Sequence, residues 1–105
     1  MTVITFFEEN GKTVKVSAHG HSGFVTDGYD PVCAAVSTLL QTAYLAISEI
    51  SAAEYERGDE TADFEFTVGA DAKNRHDVDV IIRAMTVGLE DLRSGFPQNI
   101  KLEVK

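Results

Sequence analysis

Two side chains in this sequence of 105 residues have the chemistry of a nucleophile and its base: Cys33, the only cysteine, and His21, twelve positions ahead of it. The stretch between them, Gly20-His21-Ser22-Gly23-Phe24-Val25-Thr26-Asp27-Gly28-Tyr29-Asp30-Pro31-Val32-Cys33, runs from a glycine-rich loop into an apolar segment. Asp30 is a good N-cap and Pro31 a favoured first helical residue, so a helix is expected to start there with Cys33 in its first turn. A helix N-terminus favours anions, and so the thiolate over the thiol. Asp30 is anionic as well and opposes this unless it is occupied with capping. A cysteine nucleophile needs an imidazole within hydrogen-bond reach, and a loop of this length is long enough to bring His21 back to the helix start. Free cysteine is also among the most buried residue types, which makes a plain core thiol the competing reading.

Other residues near this stretch have chemistry to offer. Ser37 follows Cys33 by one turn on the same helical face, where it either orients substrate or bonds its own backbone. Asp27 is a candidate to orient His21, although loop aspartates commonly make local turns. His19 lies two residues before His21 and on a strand would share its face, giving a His-x-His pair that with Cys33 and an aspartate would make a zinc set. The spacing matches no common zinc pattern, so no metal and no cofactor is expected. A phosphate cradle is disfavoured because no Lys or Arg lies between Lys15 and Arg57. The exposed-loop aromatics Phe24 and Tyr29 suit a peptide better. The glycines allow either simple turns or a flap that orders over substrate. Backbone N–H groups at the helix start are the expected oxyanion donors.

The elements that must hold these residues follow from periodicity. Thr2 to Phe7 and Thr13 to Ala18 alternate around Glu9-Asn10-Gly11-Lys12, a hairpin signal. Val32, Val36, Leu39, Leu40, Ala43, Ile47 and Ile50 recur at helical spacing from Pro31 to about Ala53. The acidic stretch from Glu54 to Glu65 reads as a solvated connection. Asp63 to Val68 alternates as a half-buried strand. Val78, Ile81, Ile82, Met85, Leu89 and Leu92 mark a second helix that opens near a solvated His76 and closes at Ser94-Gly95. Ile100, Leu102 and Val104 form a last strand. The order strand-strand-helix-strand-helix-strand predicts an α+β fold, a two-layer sandwich with both helices packed on one face of a mixed sheet.

The totals fit one domain over residues 1–105 that can bury roughly 65% of the unfolded chain's surface. With 17 acidic against 9 basic residues and a net charge of −8, direct nucleic-acid binding is not expected, while a basic partner is compatible. One cysteine rules out an internal disulfide. Neither a membrane span nor a signal peptide is indicated, so a cytoplasmic location is expected.

Gly20-His21, followed after the loop by Asp30-Pro31-Val32-Cys33-Ala34-Ala35-Val36-Ser37, resembles the ribosomal-processing cysteine protease family, Prp. The resemblance spans essentially the whole chain. It implies a bacterial cytoplasmic endopeptidase that removes the N-terminal extension of large-subunit ribosomal protein twenty-seven, a ribosomal protein substrate. It further implies Cys33 as nucleophile, His21 as general base, support from Gly20, Asp30 and Ser37, a mobile loop between the two catalytic residues, and a homodimer. Ser22 and Pro31 depart from the pattern, where alanine and a branched aliphatic residue are usual. A non-catalytic, ribosome-associated binding module with the same fold is the alternative from another class.

Overall fold

The two ends of the chain lie side by side in one sheet, which brings residue 2 next to residue 100. The computed structural model describes residues 1–57 and 63–105. Strands β1 (Thr2–Glu9) and β2 (Lys12–His19) form the expected hairpin, with a register shift between Phe7 and Glu8. Helix α1 (Pro31–Ile50) is followed by β3 (Ala53–Arg57), β4 (Phe64–Val68), helix α2 (Arg75–Gly95) and β5 (Ile100–Val104). The sheet order is β3-β4-β2-β1-β5, antiparallel except for β1 beside the edge strand β5. This is the α+β two-layer arrangement read from the sequence, with one strand more.

The added strand is β3. The first helix ends at Ile50 rather than near Ala53, and Ala53–Arg57 turns back to pair with β4, Tyr55 opposite Phe66. The stretch read as a solvated acidic connection therefore carries sheet on both sides. Arg57-Gly58-Asp59 reads in the sequence as the end of the helical segment; Arg57 instead closes β3, and Gly58 and Asp59 lie outside the described residues. Glu54 and Glu56 are exposed on this edge strand, where charge discourages pairing with another chain.

Both helices cover one sheet face. Ile4, Phe6, Val16, Ala18, Phe64, Phe66 and Ile100 meet Val32, Val36, Leu40, Ala43 and Ile47 of α1 and Val78, Ile82, Met85 and Leu89 of α2. A side chain such as Leu40 or Ile47, with no exposed surface, contributes about 1.5–3 kcal/mol by burial. Pro31–Ile50 is long and apolar enough by length and composition to cross a membrane. Its stripe of Val32, Val36, Leu40, Ala43 and Ile47 is buried in the core, while Leu45 is exposed. The helices approach closely at Gly88, where a Cβ would sit 3.0 Å from Leu39. The opposite sheet face is polar: Thr5 donates to Glu103 at 3.0 Å, and Lys15 lies 3.4 Å from Glu65 and above the Phe7 ring.

Candidate functional site

Asp30 and Pro31 start α1 as their types demand. The Asp30 carboxylate accepts from the Val32 and Cys33 N–H groups, both at 3.0 Å, and its backbone carbonyl accepts from Ala34. Pro31 has no N–H to leave unpaired. The first donors of the helix are thus all taken, which corrects the expectation that they hold an oxyanion. Ser22 donates its hydroxyl to both Asp30 carboxyl oxygens at 2.6 Å. Burial works against the ionised carboxylate, but the bonds from the Ser22 hydroxyl, the Cys33 amide and thiol and the Val32 amide outweigh it. Asp30 is held below its ordinary value of 3.8.

Cys33 is half-buried, so it is neither core filler nor fully solvated. Its sulfur accepts from the Ser22 N–H at 3.2 Å and lies 3.7 Å from Thr2 Oγ1. Thr2 is the first residue of β1 and 2% exposed; its hydroxyl donates to the Gly20 carbonyl at 3.1 Å. A hydroxyl has one proton. While that proton is on Gly20, the Thr2 oxygen can only accept from the thiol; turned to the sulfur, it can donate to a thiolate.

Gly20 follows β2 with φ +84°, and a Cβ there would sit 2.7 Å from the Met1 carbonyl oxygen, so the position demands glycine. Its N–H donates to Asp63 at 3.2 Å. This turn breaks the strand alternation, and the expected shared face of the two histidines is not formed. His19 stands 3.6 Å from Asp63 beside Glu65 and Arg57. His21 instead lines a separate cleft of about 360 Å³ with Cys33, Asp30, Ser37, Val25 and Tyr29. Among the described residues, no three His, Cys, Asp or Glu side chains group to hold a metal ion.

Of the site residues read from the sequence, Cys33, His21, Asp30 and Ser37 share the cleft, while Gly20 lies outside its lining, in the turn after β2. Asp27 belongs to a local turn, at φ +51° between the mutually bonded Thr26 and Tyr29, and is exposed. Exposed Phe24 packs edge-on against Phe96 at 5.1 Å, tying the loop to the end of α2. His76 is solvated at the start of α2, as expected. The sequence reading missed Thr2, Asp63 and Asn99, and it noted Ser22 only as a departure from a pattern. Thr2 and Asn99 reach the site only through the pairing of the chain ends, which no local motif signals.

Fold and sulfur define the class: a two-layer α+β protein whose cleft is built around a thiol at a helix start. The cysteine protease Prp family matches over residues 1–101, and this chain belongs to that family. Among solved structures, the essential ribosomal processing protease Prp from S. aureus with a covalently linked product peptide superposes with a TM-score of 0.87 at 24% identity, covering 100% of both chains. The same S. aureus protease with a substrate peptide gives 0.83 at 23%, again over 100% of both. SMU.848 from Streptococcus mutans gives 0.80 at 24%, covering 99% of this chain and 93% of that one. At these identities the likeness is one of fold. No curated protein sequence matches the chain.

Proposed function

We propose that this protein is a cysteine endopeptidase that removes an N-terminal extension from large-subunit ribosomal protein twenty-seven, acting in the bacterial cytoplasm as a homodimer. The observation that carries the reading is the shared cleft of Cys33 and His21 at the capped start of α1. Family membership and the S. aureus Prp complexes with peptides support it.

In this mechanism the Cys33 thiolate attacks the scissile carbonyl carbon, His21 holding the thiol proton. The tetrahedral intermediate collapses with cleavage of the C–N bond, and His21 protonates the departing amine. The resulting thioester is hydrolysed by a water whose proton His21 takes, which frees the acid and restores the thiol. Gly20 and Thr2 support the segment that carries His21, Asp30 caps the helix under the sulfur, and Ser37 lines the floor where the peptide lies. A net charge of −8 favours the approach of a basic ribosomal substrate.

The test is incubation of the purified protein with the extended ribosomal protein and with the processed form, read by intact mass. Cleavage of the extended form alone, lost in Cys33→Ala and His21→Ala, is the expected outcome. Cleavage that persists in Cys33→Ala overturns the mechanism. Tight binding of the extended protein without cleavage would favour a docking module instead.

A further inference from the structure

Ser22 stands between two exposed residues, His21 and Gly23, yet is only 2% exposed itself. Each of its polar groups has a partner. The N–H donates to Cys33 Sγ at 3.2 Å, and the hydroxyl donates to Asp30 and accepts from the Phe24 N–H. Its carbonyl accepts from Asn99 Nδ2 at 2.8 Å.

The Asn99 bond differs from the others in reach. It spans 77 residues, whereas Cys33, Asp30 and Phe24 all lie within 11 of Ser22. The main chain of Asn99 is itself fixed on both sides: its N–H donates to Phe96 O at 3.0 Å, and its carbonyl accepts from Thr2 N–H at 2.9 Å. Thr2 in turn places its hydroxyl against the sulfur. Asn99, Ser22, Cys33 and Thr2, from four separate segments, therefore close a ring of contacts that includes the sulfur. Gly23 follows immediately, at φ +82° with open space around its Cα, and begins the exposed part of the loop. Asn99 thus holds the Ser22 carbonyl from a segment outside the loop, at the point where the exposed loop begins.

We propose that Asn99 is a positioning residue for the thiol: by holding the Ser22 carbonyl, it keeps the Ser22 N–H directed at the Cys33 sulfur. An N–H donated to sulfur favours its negative form, the form that reacts. The bearing of this on peptide cleavage rests on the reading of Cys33 as nucleophile; its bearing on thiol reactivity does not.

Asn99→Leu and Asn99→Asp both keep the branched outline of the side chain and lose the donor, Leu being bulkier and uncharged and Asp near-isosteric and charged. Because Cys33 is the only cysteine, iodoacetamide reports on it alone. The alkylation rate constant at pH 7 is expected to fall about 3- to 10-fold in both variants, an effect of the size of one lost hydrogen bond. Gln98→Ala, at the exposed neighbouring position, should match the wild type. Asn99→Ser replaces either variant that does not fold. In the cleavage assay, kcat should fall while KM stays within about twofold, as expected for an interaction outside the peptide cleft. An unchanged or faster alkylation rate overturns the proposal, because the loop would then only shield the sulfur. A rise in KM with kcat intact overturns it as well, since Asn99 would then serve substrate grip. Failure of the wild type to cleave would count against the protease reading and leave the alkylation result to decide the role of Asn99.

Discussion

The two helices begin in opposite ways. At α1, Asp30 caps the first N–H groups and gathers the Ser22 hydroxyl and the Cys33 thiol around a carboxylate beside an open cleft. At α2, Asn74 sits at φ +58° and makes no side-chain cap; its amide instead donates to the Ile50 carbonyl at 2.6 Å, closing the end of α1. Beside it Arg75, 8% exposed, donates to Asp79, to Gly69 O and to Thr13 O, stitching α2 to the ends of β4 and β2. Polar groups at the second start go mainly to backbone carbonyls of other elements, with Asp79 as the one side-chain partner. Those at the first start are directed at one another and at a half-buried sulfur. One helix end ties elements together, and the other, on the proposed reading, serves a site.

Substitutions can break this contrast, and the largest effect is expected at Cys33. Cys33→Ala should lower kcat/KM for the extended ribosomal protein by at least about 10³-fold, with a melting temperature close to that of the wild type. A large fall in melting temperature would make the thiol structural and erase the difference between the two ends. The mirror-image substitution is Arg75→Ala, which leaves two carbonyls and Asp79 without their charged partner. Urea unfolding should register a loss of about 2–3 kcal/mol, while iodoacetamide alkylation of Cys33 in the folded protein stays unchanged.

Asp30 bridges the two kinds of role. Asp30→Ala should cost about 1 kcal/mol as a lost cap, whereas Asp30→Asn keeps an acceptor for the helix and removes the charge facing the sulfur. The pH dependence has a definite sign. A carboxyl held below 3.8 in the folded state contributes stability that is present above that value and lost as pH falls through the folded one. Acid unfolding of Asp30→Asn should accordingly lack that component of the wild-type loss below pH 3.8. The smallest effect is expected for Asn74→Gly, which accepts the left-handed φ, frees one exposed carbonyl and should cost about 0.5–1 kcal/mol in the same urea assay.

Much of this was legible in the sequence because it depends on neighbours. Asp30-Pro31 sets a helix start through capping and a fixed φ, and Asn10-Gly11 sets a hairpin through positive φ values, observed at +53° and +76°. Ala53–Arg57 was misread because its two exposed glutamates look like solvent-facing linker, although Ala53, Tyr55 and Arg57 alternate with them as a strand should. The histidine pair was misread for the opposite reason: strand alternation was carried one residue too far, through a glycine at φ +84° that turns the chain.

By itself, then, the sequence determined the elements, the capped helix start and the placement of one thiol in its first turn, since propensity, capping and periodicity act over three or four residues. Only the tertiary structure decided what surrounds that thiol. Thr2 and Ser22 meet at the Cys33 sulfur with Asn99 bonded to both of them, because β1 pairs in parallel with β5 at one end of the sheet, bringing together residues far apart in the chain. Contacts of that range arise from the packing of whole elements around a core, and no local stretch of residues encodes them.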